Sequence, residues 1–233
     1  PVCERWGRNS ITAAFDPGLP AARWPMRTPG RFRRPTGIAL DWKGRLFVVD
    51  GGNNRIQVFD STGHFQFGFG GLGRDSGKMN SPTGIAITPN KLVWISDSRN
   101  NQIQVFDSTG KWIKTIKKPD SLGFDTPTGI CTDKHGNVFV ADTKHNRIVE
   151  LNPNGRRLFI FGSQGDSVWQ FRNPIGVASS PGGHFLYVAD LGNKRVTRFW
   201  VIRPTGHIAY RWQVRYRGLR EPFIPGVPAV GVP

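Results

Sequence analysis

The chain has 233 residues, of which 37% are hydrophobic, with 29 glycines and 18 prolines. That apolar content excludes a disordered polymer, the frequent Gly and Pro exclude long helices, and no apolar run approaches the ~18 residues of a membrane-spanning helix, so no membrane insertion is expected. A net charge of +16 points to acidic partners such as nucleic acid or anionic surfaces.

The charge is unevenly placed. Residues 35–200 hold 20 Lys and Arg against 13 Asp and Glu, whereas the two flanks, 67 residues together, hold 12 against 3. Cys3 and Cys131 lie far apart, without metal-ligand spacing or a disulfide framework. They are compatible with a reducing compartment such as the cytoplasm, with an extracellular or cell-surface placement as the other reading.

In chain order, residues 1–29 form a basic, irregular N-terminal flank without a repeat. From residue 30 one unit recurs. Pro35-Thr36-Gly37-Ile38-Ala39 returns as Pro82-Thr83-Gly84-Ile85-Ala86, as Pro127-Thr128-Gly129-Ile130-Cys131 and as Pro174-Ile175-Gly176-Val177-Ala178, in steps of 47, 45 and 47 residues. The glycine early in each first strand suits a place where backbones approach closely. A second strand follows, ending on aspartate: Leu46 to Asp50, Val93 to Asp97, Val138 to Asp142 and Leu186 to Asp190. One of its positions is aromatic throughout (Phe47, Trp94, Phe139, Tyr187), which reads as a core layer between neighbouring sheets.

A polar turn leads to a third strand at Arg55–Phe59, Gln102–Phe106, Arg147–Leu151 and Arg195–Phe199. In the first two copies apolar and polar residues alternate, predicting a half-buried strand. Hairpin turns ending on Gly63, Gly110 and Gly155 introduce a fourth strand. Each unit is thus four short antiparallel strands in about 46 residues, one propeller blade. Such a sheet must lean on its neighbours to bury its faces. After residue 200 the pattern dissolves into an irregular, basic, Pro/Gly-rich C-terminal flank, 201–233.

The Pro-Thr-Gly-Ile-Ala block, the strand ending in Asp, and Asn53-Asn54-Arg55-Ile56-Gln57-Val58-Phe59-Asp60 with Gly63 resemble the NHL repeat. The linkers Gly77-Lys78-Met79-Asn80-Ser81-Pro82 and Gly30-Arg31-Phe32-Arg33-Arg34-Pro35 resemble that family's blade junction. The resemblance covers residues 30 to about 200. It implies an all-β propeller, typically six-bladed, of which four clear blades are present. The chain then reads either as an incomplete or fragmentary six-bladed ring or as one that its flanks close with degenerate strands, the former being favoured. It also implies a macromolecule-binding module: such domains accompany ubiquitin ligases and translational repressors, where they bind protein or RNA, and occur in bacterial cell-surface and sensor proteins, while a related propeller is an amidating lyase.

In an up-and-down blade the turn between the second and third strands shares a face with the blade junctions. That face carries Asn54, Arg99, Asn101, Lys144, His145, Asn146 and Lys194, joined by Arg74, Lys78, Lys117, Lys118 and Arg172 from the junctions, with Phe124 and Trp169 nearby in sequence. Cations on phosphates and rings on bases are what single-stranded RNA requires; a merely solvated loop surface has the same composition. The arginines five residues after the repeat aspartates read as structural partners of those aspartates. The five histidines, His64, His135, His145, His184 and His207, are scattered, and no nucleophile elbow or phosphate loop accompanies them. The expectation is a non-catalytic module for protein or single-stranded RNA, without metal or small-molecule cofactor. The runner-up is a cell-surface or sensor propeller recognising protein or glycan, and a zinc lyase stands last.

Overall fold

In a computed structural model, residues 29–202 and the strand 209–215 are described. Four antiparallel four-stranded sheets form in strict chain order. Blade 1 comprises β1 (Pro35–Leu40), β2 (Leu46–Asp50), β3 (Arg55–Phe59) and β4 (Phe65–Gly70). Blade 2 comprises β5 (Pro82–Ile87), β6 (Val93–Asp97), β7 (Gln102–Phe106) and β8 (Trp112–Ile116). Blade 3 holds β9 (Pro127–Thr132), β10 (Val138–Asp142), β11 (Arg147–Leu151) and β12 (Arg157–Phe161). Blade 4 holds β13 (Pro174–Ser179), β14 (Phe185–Asp190), β15 (Arg195–Ile202) and β16 (Ala209–Arg215). The outer strand β16 lies past residue 200, where the sequence pattern dissolves. Its backbone pairs with β15, Thr197 opposite Arg215 and Ile202 opposite Ala209, so the fourth blade is complete without a repeat signature there.

The innermost strands lie side by side about a common axis, β1 on β5, β5 on β9 and β9 on β13. The architecture is a β-propeller, as the repeat implies. The axial glycines earn their place by close approach. A Cβ on Gly37 would stand 2.7 Å from the Thr83 carbonyl oxygen, and one on Gly129 would stand 2.6 Å from that of Ile175.

Three cores fill the three seams between blades. In the first, Phe47, Val49, Ile56 and Val58 of blade 1 meet Met79, Ile85, Val93, Ile95 and Phe106 of blade 2. The second centres on Trp94, Ile103 and Val105 against Phe124, Ile130 and Val140, the third on Phe139, Ile148 and Phe161 against Phe171, Leu186 and Phe199. The repeating aromatic position is therefore core at Phe47, Trp94 and Phe139; Tyr187 is half-buried, because among the described residues no sheet lies beyond blade 4.

The alternation in β3 and β7 predicts a solvent-facing side, and there the structure differs. Gln57 and Gln104 are fully buried, since the junction that enters each blade covers that side. Their amides bind the incoming junction instead: Gln57 Nε2 donates to the Arg31 carbonyl (2.8 Å) and its Oε1 accepts from the Gly30 N–H (2.8 Å), while Gln104 Nε2 donates to the Lys78 carbonyl (2.7 Å).

Candidate functional site

The β2–β3 turn of blade 1 and its counterparts in blades 2 and 3 are single 3-10 turns at Gly51–Asn53, Ser98–Asn100 and Thr143–His145. Each closes on an asparagine in the left-handed region, Asn54 (φ 56°), Asn101 (φ 54°) and Asn146 (φ 52°), a conformation that asparagine tolerates better than most residues. These turns and the blade junctions share one face, as the strand order requires. An aspartate at the end of each second strand ties them together. Asp50 Oδ1 accepts the junction N–H of Arg33 (2.7 Å), and its Oδ2 accepts Asn53 Nδ2 and Arg55 Nε (2.8 Å each). Asp142 Oδ1 accepts the Asp125 N–H (2.7 Å), and its Oδ2 contacts Arg147 Nε (2.7 Å) and His145 Nδ1 (2.9 Å). Arg147 also reaches Asp120 (2.7 Å). Burial opposes ionisation of Asp120, but hydrogen bonds from Arg147 and the Gly123 N–H hold its carboxyl below the ordinary range.

The repeat aspartates and arginines are thus structural, as read from their spacing. So are three of the asparagines among the candidate binding residues. Asn54 Oδ1 accepts the Ser81 N–H of the next blade (2.7 Å), Asn101 Oδ1 that of Thr126 (2.9 Å) and Asn146 Oδ1 that of Asn173 (2.9 Å). His145 is held on Asp142. The remaining candidates, Arg74, Lys78, Arg99, Lys117, Lys118, Lys144, Arg172 and Lys194, are all exposed, and Arg33 and Arg34 join them. Among the described residues none of these ten sits in an ion pair, although Asp75 and Asp166 share the face. Arg33 and Arg34 stand in the first junction, and their alignment with Asn80 and Ser81 is the sequence signal that places them on this face.

The aromatic part of the expectation is corrected. Phe124 is buried in the second seam and offers no ring to a base, because its position is the plug that seals a junction. Trp169 is partly exposed but leans on Phe199 (5.3 Å between ring centroids) and edges against Phe161 (6.1 Å). Cys131 is half-buried; desolvation, helped by the nearby Asp133 charge, pushes its thiol up to about 12, so it stays protonated at neutral pH. No group of three or more potential metal ligands gathers among the described residues, and none of their helices is long and apolar enough to cross a membrane.

Blade 2 departs from the aspartate–arginine scheme, since Gln102 stands where the other blades have arginine. Asp97 is held by the Asn80 N–H (2.6 Å), Asn100 (2.8 Å) and Gln102 Nε2 (2.7 Å), all neutral. Burial therefore dominates and raises its carboxyl above the ordinary value. A raised native carboxyl contributes stability that is full at low pH and is lost as pH rises through the native value. Gln102→Arg supplies the missing cation, so its stability relative to the parent chain is expected to improve as pH climbs above the ordinary carboxylate range. Urea midpoints across that range check this; a constant difference would refute it.

Comparison with known proteins places these features. The NHL repeat profile matches residues 32–59, 79–106 and 124–151, each running from a junction to the end of a third strand. The chain is 46% identical over 48 residues to Protein brain tumor of Drosophila melanogaster and 42% identical over 52 residues to Protein lin-41 of Caenorhabditis elegans. Those matches cover 20% and 19% of the chain but only 5% and 4% of those proteins. Among solved structures, a streptogramin B lyase superposes with a TM-score of 0.60 at 18% identity, covering 81% of this chain and 57% of that one. A catalytically inactive virginiamycin B lyase from Staphylococcus aureus does so at 0.58 and 18%, covering 76% and 54%. At that identity the likeness speaks for the fold alone.

Proposed function

The chain is an NHL-repeat β-propeller protein, and from that footing we propose that it is a non-catalytic interaction module whose turn face binds single-stranded RNA. One observation carries the reading. The face holds ten exposed cations from all four blades, which outnumber the exposed Asp75 and Asp166 beside them, while the repeat aspartates are buried beneath and already committed to arginine, side-chain amides and backbone N–H groups. The asparagine and aspartate network fixes the turns, so the cations are presented from a rigid base with little ordering left to oppose binding. Lysine and arginine heads at blade-to-blade intervals suit a flexible chain of phosphates. Phe124 being buried, base stacking falls to Trp169 and contributes less than the phosphate contacts.

The test is binding of a labelled single-stranded RNA pool across a salt series. The triple variant Arg99→Ala, Lys144→Ala, Lys194→Ala removes one cation from each of three blades. If each meets a phosphate, the slope of log affinity against log salt falls by about 2, at ~0.7 per phosphate on a single strand. Binding of unchanged strength and slope in the triple variant, or none at low salt, overturns the RNA reading. An acidic protein partner captured by the parent and not by the variant would leave the face and replace the ligand.

A further inference from the structure

The three junctions between described blades are tied down unequally. In the first (71–81) a short parallel bridge pairs Leu72 with Met79, and Asn100 Nδ2 donates to the Gly73 carbonyl (2.7 Å). The third (162–173) repeats this, with Gln164 bridged to Phe171 and Asn193 Nδ2 donating to the Gly165 carbonyl (2.8 Å). Each closes a further turn, from the Lys78 N–H to the Asp75 carbonyl (2.9 Å) and from the Gln170 N–H to that of Ser167 (3.1 Å). The second junction (117–126) is the shortest and has neither bridge nor asparagine link among the described residues. His145 stands at the asparagine position there and is held on Asp142.

Asp120 anchors this second junction. Its Oδ1 accepts the Gly123 N–H (2.9 Å), its Oδ2 pairs with Arg147 Nη1 (2.7 Å), and Arg147 Nη2 donates to the Gly123 carbonyl (2.6 Å). One long bond, from the Phe124 N–H to the Lys117 carbonyl (3.4 Å), closes the loop. Ser121 and Leu122 stand exposed at its tip, Leu122 to 62%, and no described residue engages the Ser121 hydroxyl. Several hydroxyls of this face are committed instead: those of Thr36, Ser98, Thr128 and Thr143 cross the seams to carbonyls of the next blade, and that of Thr126 rests on Asp125. Ser76 and Ser167 are exposed too, but they lie in the turns closed by Lys78 and Gln170, and no pair of lysines precedes them.

The charge around Ser121 is one-sided. Lys117 and Lys118 precede it by four and three residues, both exposed and, among the described residues, in no ion pair. Leu122 follows it. A hydroxyl with cations before it and an apolar side chain after it matches the clefts of basic-directed serine kinases, where acidic side chains receive the cations. Such a cleft takes its substrate extended, so the loop must straighten, and a segment with few internal bonds opens at low cost. The second junction is the one of the three that meets both conditions.

We infer that Ser121 is a phosphorylation site for a basic-directed serine kinase, and that its phosphate turns down RNA binding by the turn face. The second half rests on the RNA reading of that face; the first half does not. In the step, Ser121 Oγ attacks the γ-phosphorus of ATP, the bond from that phosphorus to the β,γ-bridging oxygen breaks, and ADP leaves. The hydroxyl proton passes to the catalytic aspartate of the kinase. The product adds a charge of about −1.5 to −2 beside Lys117 and Lys118. Two of the ten cations then face a phosphate of the protein itself. At ~0.7 per lost contact, the slope of log affinity against log salt falls by about 1.4, and affinity at about 0.1 M salt falls about 25-fold.

The full chain, treated with Mg-ATP and the catalytic domain of protein kinase C as the basic-directed kinase, provides the test. Fragment mass spectrometry should place a phosphoryl group on Ser121, and Ser121→Ala should lose that mark. Labelled single-stranded RNA is then titrated across a salt series against the treated parent and the treated Ser121→Ala chain. The expected result is the lower slope and weaker affinity in the parent alone, with the Ser121→Ala chain binding as the untreated protein does. No phosphate on Ser121 overturns the site. Phosphate on Ser121 with affinity and slope unchanged overturns its effect on binding and leaves the RNA reading standing. An untreated parent that binds no RNA removes that reading and the effect together, while the mark on Ser121 still decides the site.

Discussion

Replacing Asp190 by alanine is expected to destabilise the chain by about 3–5 kcal/mol, the range for breaking a buried ion pair by removing one partner. Asp190 is fully buried and serves three donors: the Arg172 N–H (2.7 Å), Asn193 Nδ2 (2.7 Å) and Arg195 Nε (2.8 Å). Its loss leaves the guanidinium of Arg195 with backbone carbonyls only among the described residues, those of Asp166 (2.7 Å), Ser167 (3.0 Å) and Gln170 (2.5 Å). Carbonyls solvate a cation but do not neutralise it. The junction N–H of Arg172 is orphaned at the same time.

Asp97→Ala provides the contrast that makes this a test of mechanism. Asp97 is as buried as Asp190, yet its partners are an amide N–H and two neutral side-chain amides, so its removal strands no cation. Its cost should fall near 1–3 kcal/mol, the penalty of unsatisfied neutral groups. Urea unfolding of both variants at neutral pH is the measurement. Equal losses would mean that the aspartates act through the turn amides alone and that the arginines contribute little.

The second large effect lies at the axis. Gly129→Ala is expected to cost about 2–3 kcal/mol, near the top of the range for an added methyl group without space. The new Cβ would stand 2.6 Å from the Ile175 oxygen, 2.7 Å from the Gly176 Cα and 3.0 Å from the Val177 nitrogen. All three atoms are backbone of the next blade, so no rotamer change relieves the clash; the blades must part. Parting them also strains the hydrogen bond from Thr128 Oγ1 to the Ile175 carbonyl. Unfolding by urea or heat gives the loss, and a change below ~0.5 kcal/mol would show that adjacent blades slide freely at the axis.

Both effects explain why so much of this protein is legible as sequence. A propeller seam imposes the same contacts on each blade, so residues that make seams recur with the blade. Gly37, Gly84 and Gly129 recur because a neighbouring backbone passes within reach of any Cβ, and Asp50, Asp97, Asp142 and Asp190 because each blade's entry N–H needs an acceptor. Asn54, Asn101 and Asn146 recur for two reasons together, the left-handed turn and the link across the seam, and for that reason they resemble binding residues when read as sequence.

By itself, then, the amino-acid sequence determined the blade, its four strands, the pairing of repeat Asp with Arg and the shared face of turns and junctions, since these follow from local pattern repeated at a constant period. Tertiary packing decided the rest. It buried Gln57 and Gln104 on a side that alternation marked as exposed, sealed Phe124 into a seam, and supplied blade 4 with an outer strand from residues without a repeat signature. The reason is that burial in a propeller is set by the blades and junctions packed on either side. The same Ile that is hidden at Ile56, Ile103 and Ile148 has an exposed valine counterpart at Val196, and only the arrangement of whole sheets shows where the neighbours stop.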